Sequence, residues 1–247
     1  MRGTLRTMAF GVLAIALWAL VTSRSTPLLP GPVAVARALV ASTADGTLPV
    51  ALVKTLWRLG LGYGVALLVG IPLGTALARV RLVKETLGPI VLGMSAVPSI
   101  CWLPLAILWF GLGNPPAFFL ISLGAFFPVL VNTIAGVQSV DGIYLRVARN
   151  LGAGRATTFW RVILPAAAPY ILAGARIGMG TAFIVVIVSE MIAVNNGLGY
   201  RILEAREYMW SDKIIAGMLT IGLLGLGIDS LMGALSRRLL RWHRGME

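Results

Sequence analysis

The stretch PAFFLISLGAFFPVLVNTIAGV, residues Pro116 to Val137, runs for 22 positions without a charged residue. The hydrocarbon core of a bilayer is about 30 Å thick, and an α-helix needs roughly 20 apolar residues to cross it. This stretch is therefore predicted to be a transmembrane helix. Outward along the chain, five more apolar stretches predict an all-α membrane protein with six transmembrane helices; they are Thr7 to Ser23, Leu56 to Ala78, Pro89 to Phe110, Ala166 to Ala193 and Ile214 to Leu235.

The composition excludes most classes of soluble protein. Of 247 residues, 58% are hydrophobic and 12% are charged, whereas soluble domains carry about 25% charged residues. A net charge of +12 would suggest a nucleic-acid partner in a soluble protein, but here the bases fall between apolar stretches, so no nucleic-acid partner is expected. One cysteine (Cys101), one histidine (His243) and isolated acids make a disulfide, a metal cluster or an intramembrane enzyme poor interpretations.

Basic residues divide unequally between the two sides of this topology. The positive-inside rule places the richer side, which holds both termini, in the cytoplasm. The start of the chain is interpreted as a retained transmembrane helix rather than a signal peptide, because the apolar run reaches Ser23 without a small-residue cleavage pattern. The bases on the richer side are Arg2, Arg6, Arg79, Arg81, Lys84, Arg146, Arg149, Arg155, Arg161, Arg237, Arg238, Arg241 and Arg244.

Three segments follow from this topology. Residues 1–54 comprise the first transmembrane helix and a periplasmic connector, in which Val33 to Ser42 is predicted to form a short surface helix. Residues 55–236 form a core of five transmembrane helices and include a long loop, residues 138–165. Residues 237–247 form a basic cytoplasmic tail.

The loop between the fourth and fifth spans has helical character of its own. A first short helix is predicted from Gly142 to Leu151, stopped by Gly152, which suits a C-cap. A second is predicted to begin after Gly154 and to end before Pro165. One face of the first helix is expected to hold Leu145, Ala148 and Leu151. Such a pair lies flat on a membrane or projects into a partner's groove; the alternative is a basic loop that only fixes topology.

These residues resemble the EAA motif of bacterial ABC-importer permeases. In that family a Glu-Ala-Ala triplet is followed by a fixed glycine and, farther on, by an Ile-x-Leu-Pro ending. The matching positions are Ala148, Gly152, Leu164 and Pro165. The departures are Arg146 for the Glu, Val147 for the first Ala and Val162 for the Ile. The segments similar to the nitrate, sulfonate, taurine and bicarbonate branch are Pro98 to Gly113, Leu172 to Gly180, Ser189 to Ala193, Gly197 to Tyr200 and Ala205 to Tyr208.

The resemblance implies a MetI-like, type I ABC-importer permease fold with a cytoplasmic coupling helix, in a bacterial inner membrane. The implied partners are a second permease copy in a homodimer, two ATPase subunits, a periplasmic solute-binding protein and membrane lipid. Because the chain has no G-x-x-x-x-G-K-[ST] phosphate loop, we expect a transport subunit rather than an enzyme. It would carry no cofactor or metal and leave ATP and Mg²⁺ to the ATPase. The residues expected to couple to that ATPase are Leu145, Arg146, Val147, Ala148, Arg149, Asn150, Leu151, Gly152, Ala153, Leu164 and Pro165.

The resemblance also implies a class of cargo, a small anion or organosulfonate of the taurine, alkanesulfonate, nitrate or bicarbonate type. Two alternatives stay open. One is another small organic solute, such as a pyrimidine precursor or an aromatic acid. The other is a membrane assembly protein that transports nothing, which would explain the spans but not the capped helix pair.

The prolines of the third span point to a translocation pathway. Pro98 and Pro104 each remove a backbone donor and bend or break a helix. At membrane depth the freed carbonyls need protein or water around a cavity. The candidates for lining the pathway are therefore Ser95, Pro98, Ser99 and Trp102, although a packed kink without substrate contact explains the prolines equally well.

Three ionisable residues inside predicted spans are expected to face protein or water, because a charge facing lipid is costly. Arg176 either snorkels to the cytoplasmic surface or lies near the inner pathway, where it would attract an anion. Glu190 is either the partner of a helix terminus or a residue beside the outer pathway. Asp229 is expected in a structural ion pair or a cap, with Arg237 the nearest base along the chain.

Overall fold

The computed structural model describes residues 2–22 and 29–240, and over these residues every regular element is a helix. The predicted span end at Ser23, Arg24 of the predicted periplasmic connector and the tail residues Arg241, His243 and Arg244 lie outside the described residues. A 3₁₀ helix (Ser99–Trp102) lies between α4 and α5, and a π-helical turn (Phe159–Ile163) lies between α8 and α9. The α-helices are α1 (Arg2–Thr22), α2 (Pro32–Ala44), α3 (Thr47–Arg79), α4 (Arg81–Ser95), α5 (Leu103–Phe110), α6 (Asn114–Gln138), α7 (Gly142–Asn150), α8 (Arg155–Thr158), α9 (Leu164–Ile192), α10 (Leu198–Glu207) and α11 (Ser211–Leu239).

Among residues 2–22 and 29–240, four helices are long and apolar enough to cross a membrane. They contain the predicted second, fourth and sixth spans and all of the fifth except Ala193. A bent pair, Arg81–Ser95 with Ser99–Phe110, supplies a fifth crossing if it counts as one span. In α1, Val12–Thr22 is a shorter apolar helix. The described residues thus give up to five spans, and the predicted count of six is not reached. The four long spans are Thr47–Arg79, Asn114–Gln138, Arg155–Ile192 and Ser211–Leu239.

The predicted third span, Pro89 to Phe110, is broken rather than continuous. The helices on the two sides of the break differ in direction by 93°. Pro98 has an extended backbone (φ −55°, ψ 133°) and precedes the 3₁₀ helix. Because Pro98 lacks an amide hydrogen and keeps the residue before it out of the helical region, a helix cannot continue through this point. Pro104 causes no second break, since it lies in the first turn of α5, where proline is tolerated.

The second helix of the long loop does not end before Pro165, and that prediction is wrong. α8, the π-helical turn and α9 form one continuous helix of 38 residues, Arg155–Ile192. The π-helical turn directly precedes Leu164 and Pro165. A proline removes one helical hydrogen bond and crowds the preceding turn, and the wider π turn accommodates that crowding without ending the helix.

The centre of the bundle is formed by α6, which packs against both α3 and α9. Glycines allow these backbones to approach closely. A Cβ at Gly74 of α3 would lie 2.8 Å from the Cβ of Thr133, and a Cβ at Gly174 of α9 would lie 2.5 Å from the Cβ of Asn132. Small residues at helix contacts are characteristic of membrane bundles, where dispersion contacts drive packing. This tight three-helix core holds the broken span and the loop in fixed positions.

Helix α2 confirms the surface helix predicted from Val33 to Ser42, with slightly wider bounds. Val35 and Ala38 of α2 pack with Ala216 near the start of α11. In the turn before α3, Asp45 accepts hydrogen bonds from the hydroxyl (2.7 Å) and the backbone amide (2.9 Å) of Thr47. These bonds hold the pKa of Asp45 below its usual value and fix where α3 begins.

Candidate functional site: a capped helix, a cavity and two ion pairs

Helix α7 is defined at both ends by its own sequence. At the start, the Asp141 carboxylate accepts a hydrogen bond from the backbone amide of Ile143 (2.8 Å). At the end, Gly152 has φ +76° and donates its amide to the carbonyl of Arg149 (2.9 Å), while Ala153 donates to Ala148 (3.0 Å). A glycine reaches this left-handed conformation without strain. The predicted stop at Gly152 is found, and α7 is a short, stiff helix.

The faces of α7 differ in part from the sequence expectation. Ala148 is buried and Leu145 is half-buried, as expected, but Leu151 is 80% exposed and points away from them. The exposed side carries an apolar row that we call the α7 stripe: Ile143, Tyr144, Val147 and Leu151. Residues three and four apart share one face of a helix. Ile143 and Tyr144 were not predicted to lie on a contact face, although their spacing from Val147 and Leu151 indicates one.

The other predicted coupling residues fall into two groups: some are exposed on α7, and others lie at the contact between the loop and the bundle. Arg146, Arg149 and Asn150 are exposed around the helix. Leu145 and Leu164 instead pack against a buried cluster formed by Val137, Ile163, Ala167 and Ile171. Pro165 follows in the first turn of α9 and is half-buried. Leu145 therefore anchors α7 on a cluster that Leu164 also contacts, and the α7 stripe is the part left open to a partner.

A cavity of about 320 Å³ lies at the break of the third span. Three of the four predicted lining residues, Ser95, Pro98 and Ser99, border it, together with Thr181 and Ile184 of α9. Trp102 does not border it and packs instead against the main core cluster. The Trp102 Nε1 is buried and finds no hydrogen-bond partner in the part of the chain that the structure describes.

Arg176 and Asp229 form a bidentate pair between α9 and α11. The Arg176 Nε and Nη2 atoms donate to the two carboxylate oxygens of Asp229 at 2.9 and 2.8 Å. The side chains are 50% and 60% exposed. Asp229 is thus in an ion pair as expected, but with Arg176 rather than Arg237. The exposed positions Ile177 and Ile184 continue along α9 from this pair toward the cavity.

Glu190 is fully buried in a network near the start of α10. Its Oε1 lies 2.6 Å from Arg58 Nη1, and both of its oxygens accept from the Thr55 hydroxyl at 2.9 Å. Its Oε2 accepts from the backbone amide of Gly199 (3.0 Å), in the first turn of α10. This is the helix-terminus contact that was one of the two alternatives for Glu190.

Arg58 was missed by the sequence analysis, although it is an arginine inside the predicted second span. Its side chain is 1% exposed. Besides Glu190, it donates to the side-chain oxygen of Asn114 (2.8 Å), to the carbonyl of Asn196 (3.1 Å) and to the side-chain oxygen of Asn196. It therefore ties α3 to the start of α6 and to the loop before α10. The signal that could have found it is the cost of a charge at membrane depth, which demands a partner.

No described group of three His, Cys, Asp or Glu side chains comes together in a way that could hold a metal ion.

Comparison with known proteins gives relatives along nearly the whole chain. Residues 67–241 match the family described as "Binding-protein-dependent transport system inner membrane component". The taurine transport system permease protein TauC of Escherichia coli is 37% identical, with 96% of this chain and 90% of the relative covered. A putative aliphatic sulfonates transport permease protein, SsuC of Bacillus subtilis, is 32% identical over 99% and 90%. The nitrate import permease protein NrtB of Leptolyngbya laminosa is 33% identical over 75% and 67%.

Solved structures share the fold. The MetNI methionine ABC transporter in an inward-facing conformation matches with a TM-score of 0.66 at 18% identity, covering 75% of this chain and 93% of that one. An amino acid ABC transporter with histidines matches with a TM-score of 0.65 at 18% identity, covering 81% and 97%. At this identity the likeness concerns the fold alone, which is that of the MetI-type permeases.

Proposed function

Because this chain belongs to the family of binding-protein-dependent transport system inner membrane components and is the permease of an ABC importer, we propose that two copies enclose a pathway for a small organosulfonate or inorganic anion. The cargo is of the taurine, alkanesulfonate, nitrate or bicarbonate type. A periplasmic binding protein delivers it, and two ATPase subunits bind ATP and Mg²⁺ beneath the permease. The chain itself is a multi-pass inner membrane protein without an enzymatic role.

The observation that carries this proposal is the α7 stripe on a helix capped at both ends. A short helix with an apolar face is suited to a groove on another protein. Its fixed caps allow it to transmit a movement that a flexible loop would absorb. We propose that the stripe inserts into the ATPase. The α7 end of the bundle, with its many bases, then faces the cytoplasm together with both termini.

The exposed pair of Arg176 and Asp229 supports a dimer around a wet pathway. Both residues lie within membrane-spanning helices, and half of each side chain is open in the single chain. Charges at that depth do not face lipid, so a second copy or a water-filled passage covers them. A guanidinium offers paired donors to the oxygens of a sulfonate, nitrate or carboxylate. We therefore propose that Arg176 lies on the pathway, together with the cavity at Ser95, Pro98 and Ser99.

Arg176→Gln is expected to lower uptake of the anionic cargo about tenfold or more, since it removes the cation and leaves Asp229 without its partner. The measurement is uptake of labelled taurine, alkanesulfonate, nitrate and bicarbonate by proteoliposomes that hold the assembled transporter, with methionine as the control solute. Arg238→Gln, an exposed arginine on the same helix as Asp229, is the matched control and retains uptake. Equal uptake by wild type and Arg176→Gln, or uptake of methionine in preference to every anion, would contradict the proposal.

A matched pair of glycines tests the proposed coupling. Gly152 (φ +76°) and Gly154 (φ −66°) both have open space where a Cβ would lie. Gly152→Val therefore suffers only from the left-handed backbone, at a cost of at least about 1–2 kcal/mol, and shifts the end of α7. Solute-stimulated ATP hydrolysis is expected to fall roughly tenfold, while the protein stays in the membrane.

Gly154→Val is the control and keeps normal hydrolysis. If both variants hydrolyse ATP at the wild-type rate in response to solute, the geometry of the α7 end does not matter for coupling.

A further inference from the structure

A large groove lies between the end of α3 and the elbow formed by α7, α8 and the start of α9. Its volume is about 1030 Å³. The lining is mostly apolar, and its floor is formed by Ile71, Pro72, Phe159, Ile163, Leu164 and Ile171. Apolar clefts of this size bind ligands that carry hydrocarbon.

The rim of the groove is basic. Arg79 at the end of α3, Arg149 on α7 and Arg155 at the start of α8 all border it and are exposed. None of the three forms an ion pair with an acid among residues 2–22 and 29–240. Three bases therefore converge on one opening without a protein anion to neutralise them.

Along α3, the groove is nearly as long as one leaflet of the hydrocarbon core is thick. Ile71 and Arg79 are eight residues apart on α3, which corresponds to about 12 Å along a helix. Half of a hydrocarbon core is about 15 Å thick. If the apolar floor of the groove lies in the hydrocarbon core, the three rim arginines lie at the level of the lipid headgroups. Trp160, which is 65% exposed and borders the groove, suits the same interface.

We propose that this groove binds an anionic phospholipid of the membrane. Its phosphate lies against Arg79, Arg149 and Arg155, and its acyl chains lie along the apolar floor. Basic pockets between transmembrane helices are suited to anionic headgroups. A second copy of this chain, with 21 Lys and Arg residues against 9 Asp and Glu residues, offers few acids that could neutralise this rim. A segment of a cytoplasmic protein would have to enter the membrane to reach Ile71. The lipid site is independent of the cargo proposed above.

Quenching of Trp160 fluorescence tests the proposal directly. The full chain is reconstituted in phosphatidylethanolamine vesicles with an increasing fraction of brominated phosphatidylglycerol or, in parallel, brominated phosphatidylethanolamine. The Trp160 signal is the difference between wild type and Trp160→Phe. We expect half-quenching at a mole fraction of brominated phosphatidylglycerol at least about tenfold lower than that of brominated phosphatidylethanolamine, since each surface arginine contributes roughly fivefold to the attraction of an anionic lipid.

Two triple variants separate this site from general surface charge. Arg79→Gln with Arg149→Gln and Arg155→Gln is expected to lose the preference for phosphatidylglycerol. Arg161→Gln with Arg237→Gln and Arg238→Gln removes the same charge from positions off the groove and is expected to keep it. Equal quenching by the two lipids, or a preference that survives the rim variant, would overturn the proposal. A Trp160 signal insensitive to every lipid, as expected if another protein chain fills the groove, would overturn it too.

Discussion

Arg58→Met is expected to destabilise the protein by about 3–5 kcal/mol, the usual cost of removing one partner from a buried ion pair. The Glu190 carboxylate would stay fully buried and keep only the Thr55 hydroxyl and the Gly199 amide as donors. For a chain of this size, that loss corresponds to a fall of on the order of 10 °C in the thermal unfolding midpoint. The measurement is thermal unfolding of the purified full chain in detergent.

Two further variants show whether the loss comes from the uncompensated charge. Glu190→Gln in the Arg58→Met background keeps an acceptor for Gly199 and removes the charge, so more than half of the lost stability is expected to return. Arg81→Met breaks the exposed pair with Glu85, where we expect little change in the unfolding midpoint because solvent screens the charges. A double variant less stable than Arg58→Met alone would contradict this account of the network.

Val147→Asp is expected to weaken binding of the ATPase by at least about 2 kcal/mol, which is roughly thirtyfold in Kd. Val147 lies in the middle of the α7 stripe and is 49% exposed, so an aspartate there does not disturb the fold. In a complex, however, the new carboxylate would be buried in an apolar groove without a partner. The measurement is the Kd between detergent-solubilised permease and the purified ATPase.

Leu112→Asp provides the matched control for the stripe. Leu112 is 74% exposed and lies in the turn before α6, at the end of the bundle opposite α7. The same change of apolar residue to acid is expected to leave ATPase binding unaltered there. If Val147→Asp binds as tightly as wild type, or if Leu112→Asp weakens binding equally, the stripe is not the docking surface.

Much of the fold follows from local sequence rules. Apolar length predicts the spans that lie within α3, α6, α9 and α11, because a helix satisfies its own backbone hydrogen bonds in lipid. The glycine after α7 predicts its end. The continuous helix through Pro165 could not be predicted in the same way. A proline normally ends a helix, and the sequence does not reveal that a π-helical turn precedes Pro165 and accommodates it. The prolines of the third span predict a bend or a break, and the 93° break occurs at Pro98 alone, which the sequence does not distinguish from Pro104.

The contacts across the bundle depend on how the helices pack, which no local pattern reveals. Arg58 and Glu190 are 132 positions apart, and each could be recognised only as a charge that needs a partner. Asp229 pairs with Arg176, 53 positions away, although the nearest base along its own helix is Arg237. The face of α7 that is open to a partner was predicted incompletely for the same reason. Leu151 was expected on the same face as Leu145 and Ala148, but it follows the last residue of α7 and is exposed.

The central claim is that the α7 stripe contacts the ATPase subunit. Cross-linking from the stripe tests this contact most directly. After Cys101→Ser removes the one cysteine, single cysteines replace Leu151 and, as a control, Leu112, and each carries a photoreactive cross-linker. In the assembled transporter we predict that Leu151→Cys joins covalently to the ATPase and that Leu112→Cys does not. An assembly that hydrolyses ATP in response to solute while Leu151→Cys yields no cross-link to the ATPase would contradict the account.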